Sequence, residues 1–272
     1  MYSEERLAVL NKIKEFEKNQ EWNKDVEPDP ESKVLLPNKV DYLGEKLTSK
    51  IKTKIANRFA VLYYEKLIKN GDFVIKDILG LENYRSVKGG AILTCNHFSP
   101  LDNYAVYRAI RKDLGKRRLY KIIKEGNYTS YKGLFGFFFR NCNTLPLSSN
   151  METMRKFMFS VSKLLNRGEK ILIYPEQSMW WNYKKPRPLK NGAFRFAIKN
   201  KVPIIPIFIT MEDTEKIGAD GFKVQAYTLH FLKPIYPNAN LNVRQNQDYM
   251  AQENYKVWEN VYQTFYKRPL VY

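Results

Sequence analysis

One of the two histidines of this chain, His97, stands five residues before an aspartate in Asn96-His97-Phe98-Ser99-Pro100-Leu101-Asp102. An imidazole held by a carboxylate is a general base. The carboxylate fixes the tautomer through one ring nitrogen, and the other takes a proton from a hydroxyl as that oxygen attacks a thioester. No covalent enzyme nucleophile is needed. The spacing alone also admits a plainer reading, because Ser99-x-x-Asp102 is a capping box and Asn96 a common turn residue. Cys95 lies two residues before His97, but neighbouring strand positions face opposite sides, so it reads as a small core side chain. His230, inside an alternating strand, reads as structural.

The elements that must position His97 follow from periodicity. The apolar run 91–95 reads as a strand ending just before it, and Ser99-Pro100 reads as a helix cap and first position for a helix over 99–112. The histidine then sits where a strand gives way to a helix, the usual ligand-binding edge of an open α/β sheet. Further strands are expected at 73–78, 119–123, 171–174, 202–209 and 222–232, and helices at 151–167, 191–200 and 248–266. This alternation predicts an α/β fold, a single mixed sheet flanked by helices. Ahead of it, 3–20 reads as a helix capped by Ser3, Pro28-Asp29-Pro30 as part of an extended connector, and 44–70 as a basic amphipathic helix. Residues 1–70 are expected to form an N-terminal helical appendage, and 71–272 the catalytic domain.

Four ordered segments carry a resemblance. Asn96-His97-x4-Asp102 is followed by Gly133-Leu134-Phe135-Gly136-Phe137-Phe138-Phe139-Arg140 running on to Leu145-Pro146-Leu147. Then come Tyr174-Pro175-Glu176-Gln177-Ser178, the stretch Lys190-Asn191-Gly192-Ala193-Phe194, and Val202-Pro203-Ile204-Ile205-Pro206. Together they resemble the motifs of the lysophospholipid acyltransferase family, bacterial 1-acyl-sn-glycerol-3-phosphate acyltransferases in particular, over about 90–210. The resemblance implies the fold of the glycerolipid acyltransferases, with His97 and Asp102 as the catalytic pair. It also implies Asn96, Arg140, Glu176, Gln177, Ser178 and Lys190 as substrate-binding residues. Acyl-CoA or acyl-carrier protein would be the donor, a lysophosphatidate-like lipid the acceptor, and no cofactor is required. Gln177 stands where the third motif usually has glycine and Met179 where it has arginine, while Cys142 falls where counting from Gly136 places the second motif's arginine. Arg140 and the cluster Lys184, Lys185, Arg187 and Lys190 are the candidate substitutes for gripping phosphate.

Composition fits a surface enzyme. The net charge of +18 is uneven: residues 1–41 hold 7 basic against 10 acidic side chains, leaving 39 against 18 for the rest. Anionic membrane, phosphorylated substrate or nucleic acid are the partners such charge attracts, and no nucleic-acid reader motif is evident. With two cysteines and two histidines, neither a disulfide framework nor the usual zinc spacings can be assembled, so no metal is expected. No run reaches the roughly 20 apolar residues of a membrane span and the N-terminus does not read as a signal peptide. The expected location is cytoplasmic, peripheral on the inner face of a membrane. In helix 44–70, Leu47, Ile51, Ile55, Phe59, Leu62, Tyr63 and Leu67 share one side amid Lys46, Lys50, Lys52, Lys54 and Arg58, a pattern fit for a lipid interface or for core packing. Trp180, Trp181 and Tyr183 allow an acyl-chain wall, an interfacial anchor or plain packing, and Phe135, Phe137, Phe138 and Phe139 an acyl tunnel or a buried element. Besides acyl transfer to lysophosphatidate, two alternatives stay open: transfer to a glycolipid or other envelope lipid, and a non-catalytic membrane-binding protein of the same fold.

Overall fold

The computed structural model describes residues 2–28 and 31–272. Asp29 and Pro30 of the expected connector lie outside the described residues. The first half of the chain forms α1 (Glu4–Lys18), α2 (Leu47–Lys69), β1 (Val74–Leu79), α3 (Leu81–Arg85), β2 (Ala91–Cys95), α4 (Asp102–Ile110), β3 (Leu119–Ile123), α5 (Glu125–Thr129) and α6 (Gly133–Asn141). The second half forms β4 (Thr144–Pro146), α7 (Met151–Asn166), β5 (Lys170–Ile173), α8 (Gly192–Asn200), β6 (Ile204–Ile217), β7 (Lys223–Phe231) and α9 (Val243–Tyr266).

These strands join one mixed sheet in the order β1-β7-β6-β2-β5-β3-β4. The β6/β7 pair is antiparallel and the other neighbours are parallel. Central β2 is covered on both faces, which is why Ala-Ile-Leu-Thr-Cys is apolar without alternation and wholly buried. Its side chains divide between two cores. Leu93 and Cys95 join Leu119, Leu172 and Ile205 beneath α4, whereas Ile92 joins Ile171, Ile173 and Ile204 beneath α7 and α8. The expected mixed sheet flanked by helices is therefore the fold.

Three departures from the expected elements have local causes. Ser99 does not cap α4: its hydroxyl accepts the Leu101 N–H at 3.2 Å in a turn, and the helix starts at Asp102. β6 runs eight residues past 209, because its second half alternates exposed polar residues in a ribbon with β7 beyond the covered sheet. α9 starts at Val243, where Asn242 and Gln245 close a capping box.

The first 70 residues are fastened to the sheet along much of their length. Val9 and Ile13 of α1, with Val26, pack on Trp180 and Trp181. The Leu35 N–H donates to Glu125 at 2.7 Å, and the Tyr42 hydroxyl donates to the Pro146 carbonyl at 2.8 Å. Val61, Tyr64, Leu67 and Ile68 of α2 pack against the core beneath α4.

Gly90, immediately before β2, has no room for a side chain, since a Cβ there would stand 2.1 Å from the Leu165 carbonyl oxygen. Gly90→Ala should lower stability by about 1–3 kcal/mol, the cost of forcing an extra carbon into close packing. The midpoint of chemical denaturation measures it.

Candidate active site

The two residues after β2 point in different directions. Asn96 is buried and spends its amide inward, donating to the Ile209 carbonyl at 3.0 Å and accepting the Ile209 N–H at 2.8 Å. It locks the end of β2 to β6. His97 instead lines a cavity of about 750 Å³ above the C-terminal ends of β2, β3 and β5.

His97 Nδ1 lies 2.8 Å from Asp102 Oδ2, and Asp102 is fully buried. That oxygen also accepts the backbone N–H groups of Phe98 and Ser99, each at 3.3 Å, while Oδ1 accepts the Tyr174 hydroxyl at 2.8 Å. These donors satisfy a carboxylate that would otherwise be costly to bury, and its place in the first turn of α4 suits the helix dipole. With Nδ1 engaged, Nε2 is the nitrogen left for a substrate. The Tyr174 ring stacks on the imidazole at 3.9 Å between centroids. Burial first, and the Asp102 charge second, hold the Tyr174 phenol well above its ordinary value, so it stays a donor.

A buried carboxylate and guanidinium clamp the histidine's backbone. Buried Glu176 accepts the His97 N–H at 3.0 Å and the Arg187 N–H at 2.8 Å, and Arg187 Nη2 donates to the same carboxylate at 3.0 Å. The Arg187 guanidinium, 1% exposed, also donates to the Ser178 hydroxyl at 2.8 Å, the Trp22 carbonyl at 3.1 Å, the Ser178 carbonyl, and the His97 carbonyl at 3.4 Å. Trp180 N–H reaches the His97 carbonyl at 3.1 Å, and its indole N–H donates to the Lys24 carbonyl at 2.9 Å. The loop after β5 and the segment after α1 therefore hold His97 together.

This geometry, a carboxylate-bound histidine at a cavity on a sheet edge, accompanies a family match: the model described as Acyltransferase fits residues 77–210. The chain carries a domain of the acyltransferase family. Two curated relatives are 1-acyl-sn-glycerol-3-phosphate acyltransferases by name. BAT2 of Brassica napus, described as chloroplastic, is 30% identical over 161 residues, 55% of this chain and 40% of that protein. From Caenorhabditis elegans, acl-2 is 27% identical over 124 residues, 44% of this chain and 41% of that protein. The matched part thus spans about two-fifths of each relative's length. The crystal structure of the 1-acyl-sn-glycerophosphate acyltransferase PlsC from Thermotoga maritima superposes with a TM-score of 0.49 at 19% identity, covering 78% of this chain and 79% of that one.

Several of the residues expected to contact substrate are engaged within the protein. Asn96, Glu176 and Ser178 are buried in protein hydrogen bonds and do not line the cavity. Arg140 donates to the Tyr131 carbonyl at 2.9 Å, bracing the turn before α6. Of the candidate phosphate cluster, Arg187 is consumed by the clamp, Lys185 pairs with Glu17, and Lys184 lies over the Tyr266 ring. Trp180 and Trp181 are packed against α1 rather than facing lipid. Gln177, Met179 and Lys190 do line the cavity, as do Phe135, Phe138 and Phe139. Gln177 has a φ of +70°, a backbone region that favours the glycine usual in the motif.

Two cavity features escape a reading by spacing. The Tyr174 hydroxyl on Asp102 bridges residues 72 apart in sequence. Lys121, on β3, lines the cavity, with burial lowering its ammonium below the ordinary lysine value. A lysine within an expected strand was the available signal.

Removing Arg187 leaves the Glu176 charge buried without its cation. Arg187→Met should cost about 3–5 kcal/mol, and adding Glu176→Gln should recover part of that loss, as read by urea denaturation of the single and double variants.

Proposed function

We propose that this chain transfers a fatty acyl group from a thioester donor, acyl-CoA or acyl-carrier protein, to the hydroxyl of a lysophosphatidate-like acceptor at a membrane surface. The observation that carries the proposal is the His97–Asp102 pair at the cavity, inside a domain whose family relatives bear that activity in their names. His97 Nε2 takes the acceptor's hydroxyl proton as the oxygen attacks the thioester carbon. Asp102 steadies the imidazolium. Collapse of the tetrahedral adduct forms the ester and breaks the carbon–sulfur bond, and the leaving thiolate recovers the proton from Nε2. His97→Ala should reduce transfer at least about a hundredfold, the usual contribution of a general base. Undiminished transfer by the folded variant would rule this mechanism out.

A second acceptor, a lipid lacking the phosphate, is favoured by one observation. Met179 lines the cavity where the motif usually supplies arginine, and the nearby Arg187 is already bonded within the protein. For a phosphorylated acceptor, Lys190 at the cavity wall is the counter-charge this reading assigns. Competition between phosphorylated and glycosylated lysolipids separates the two acceptors.

Attachment to the membrane is proposed through α2. Leu47, Ile51, Ile55, Phe59 and Leu62 are exposed along one side of that helix, and Leu134 and Phe135 of α6 are exposed next to it. Lysines at 50, 52 and 54 accompany this stripe, and each such cation near an anionic surface contributes about 1 kcal/mol. Among the described residues no helix is long and apolar enough to cross a membrane, so the proposed attachment is peripheral. Replacing Lys50, Lys52 and Lys54 together by Glu should abolish co-sedimentation with anionic vesicles. Unchanged sedimentation would assign the helix to packing alone.

A further inference from the structure

The Asp102 carboxylate serves two side chains at once. Its Oδ2 meets His97 Nδ1 at 2.8 Å, and its Oδ1 meets the Tyr174 hydroxyl, also at 2.8 Å. A carboxylate only accepts hydrogen bonds, so the phenol, which burial keeps un-ionised, has to donate. The same tyrosine lays its ring on the imidazole, 3.9 Å between centroids and 16° from parallel. One side chain therefore touches both the histidine and the carboxylate that steadies it. Packing against the core beneath α4 would need the ring alone. The hydroxyl is spent on Asp102.

These two contacts act on a protonated imidazole in opposite senses. A hydrogen bond to a carboxylate stabilises the charge in place and leaves less of it to favour a neighbouring cation. The electron-rich face of a phenol attracts a cation lying against it. We propose that Tyr174 sets the strength of His97 as a base through this opposition, the hydroxyl lowering the imidazole's affinity for a proton and the ring raising it. The proposal deepens the acyltransferase reading above, on which its bearing on catalysis rests, and makes Tyr174 a positioning residue that acts through Asp102 and His97. A base in this reaction takes a proton from the acceptor hydroxyl and returns it to the leaving thiolate. A carboxylate without the tyrosine's donor would favour the first step at the expense of the second.

Other ionisable groups around the pair are untouched by a change at position 174. Cys95 of β2, Tyr64 of α2, Tyr104 of α4 and Tyr227 of β7 are each pushed toward the neutral form by burial. Glu176 and Arg187 neutralise each other behind the His97 backbone. Across the cavity the charged lining residues are Asp25, Glu27, Lys121, Lys124 and Lys190.

With two histidines in the chain, their rings can be followed separately by NMR as the purified protein is titrated without substrate. Tyr174→Phe keeps the ring and deletes the donor, so the His97 midpoint should rise by about half to one pH unit. A 3-fluorotyrosine incorporated at position 174 is a stronger donor with a poorer π face, and should lower that midpoint. His230, bonded to the Thr210 hydroxyl and edge-on to Phe265, is the internal reference and should stay fixed. A His97 midpoint that stays put in either folded protein, or that falls in the phenylalanine variant, would overturn the proposal. Because the two changes act in opposite directions, misfolding of one leaves the other decisive. In transfer assays the acid limb of the kcat/KM profile should follow the NMR midpoint. A midpoint that moves while the limb stays would remove His97 as the base, and with it the acyltransferase mechanism, while leaving the effect of Tyr174 on the histidine standing.

Discussion

The buried ion pair between Glu176 and Arg187 is the constraint on which the site depends. Each partner is almost wholly removed from water, and their remaining hydrogen-bonding capacity goes largely to the backbone of His97, to Ser178 and to Trp22. A buried pair of this kind contributes little net stability once desolvation is counted. What it does supply here is position. The histidine sits on an irregular turn after β2, where the Asp102 carboxylate, the Tyr174 ring and the Trp180 backbone N–H hold it beside the clamp.

The same pair shapes the chemistry available to a substrate. An arginine chemically suited to grip a phosphate is drawn inside by Glu176, and the position that usually supplies one is Met179. Cation chemistry at the cavity is left to lysines, which act as point charges without the paired, planar donors of a guanidinium. Much of the remaining cavity wall is apolar, contributed by α2, α6, α7 and α8.

The two-sided character of the cavity follows from the sheet itself. β3 and β5 are neighbours whose C-terminal ends open beneath His97, and their alternating side chains give each face its own lining. β3 thereby lines the cavity from both of its faces. The N-terminal 70 residues contribute from outside the sheet: α1 and the segment after it support the clamp, while α2 walls the cavity and bears the exposed apolar stripe.

The sequence by itself determined six of the seven strands, most helices, and the presence of His97 and Asp102 at the end of a buried strand, because periodicity and strand-end placement are local properties; the three-residue β4 and the order of the strands were not legible. The short helices α3, α5 and α6 were not legible, since five to nine residues carry too few turns for a periodic signal. Only the tertiary structure decided that Asn96, Glu176 and Ser178 turn inward, that Arg140 braces a turn, and that Tyr174 completes the carboxylate's hydrogen bonds. Whether a polar side chain faces a ligand or the protein depends on partners brought close by packing, often dozens of residues away, and no spacing along the chain encodes that choice.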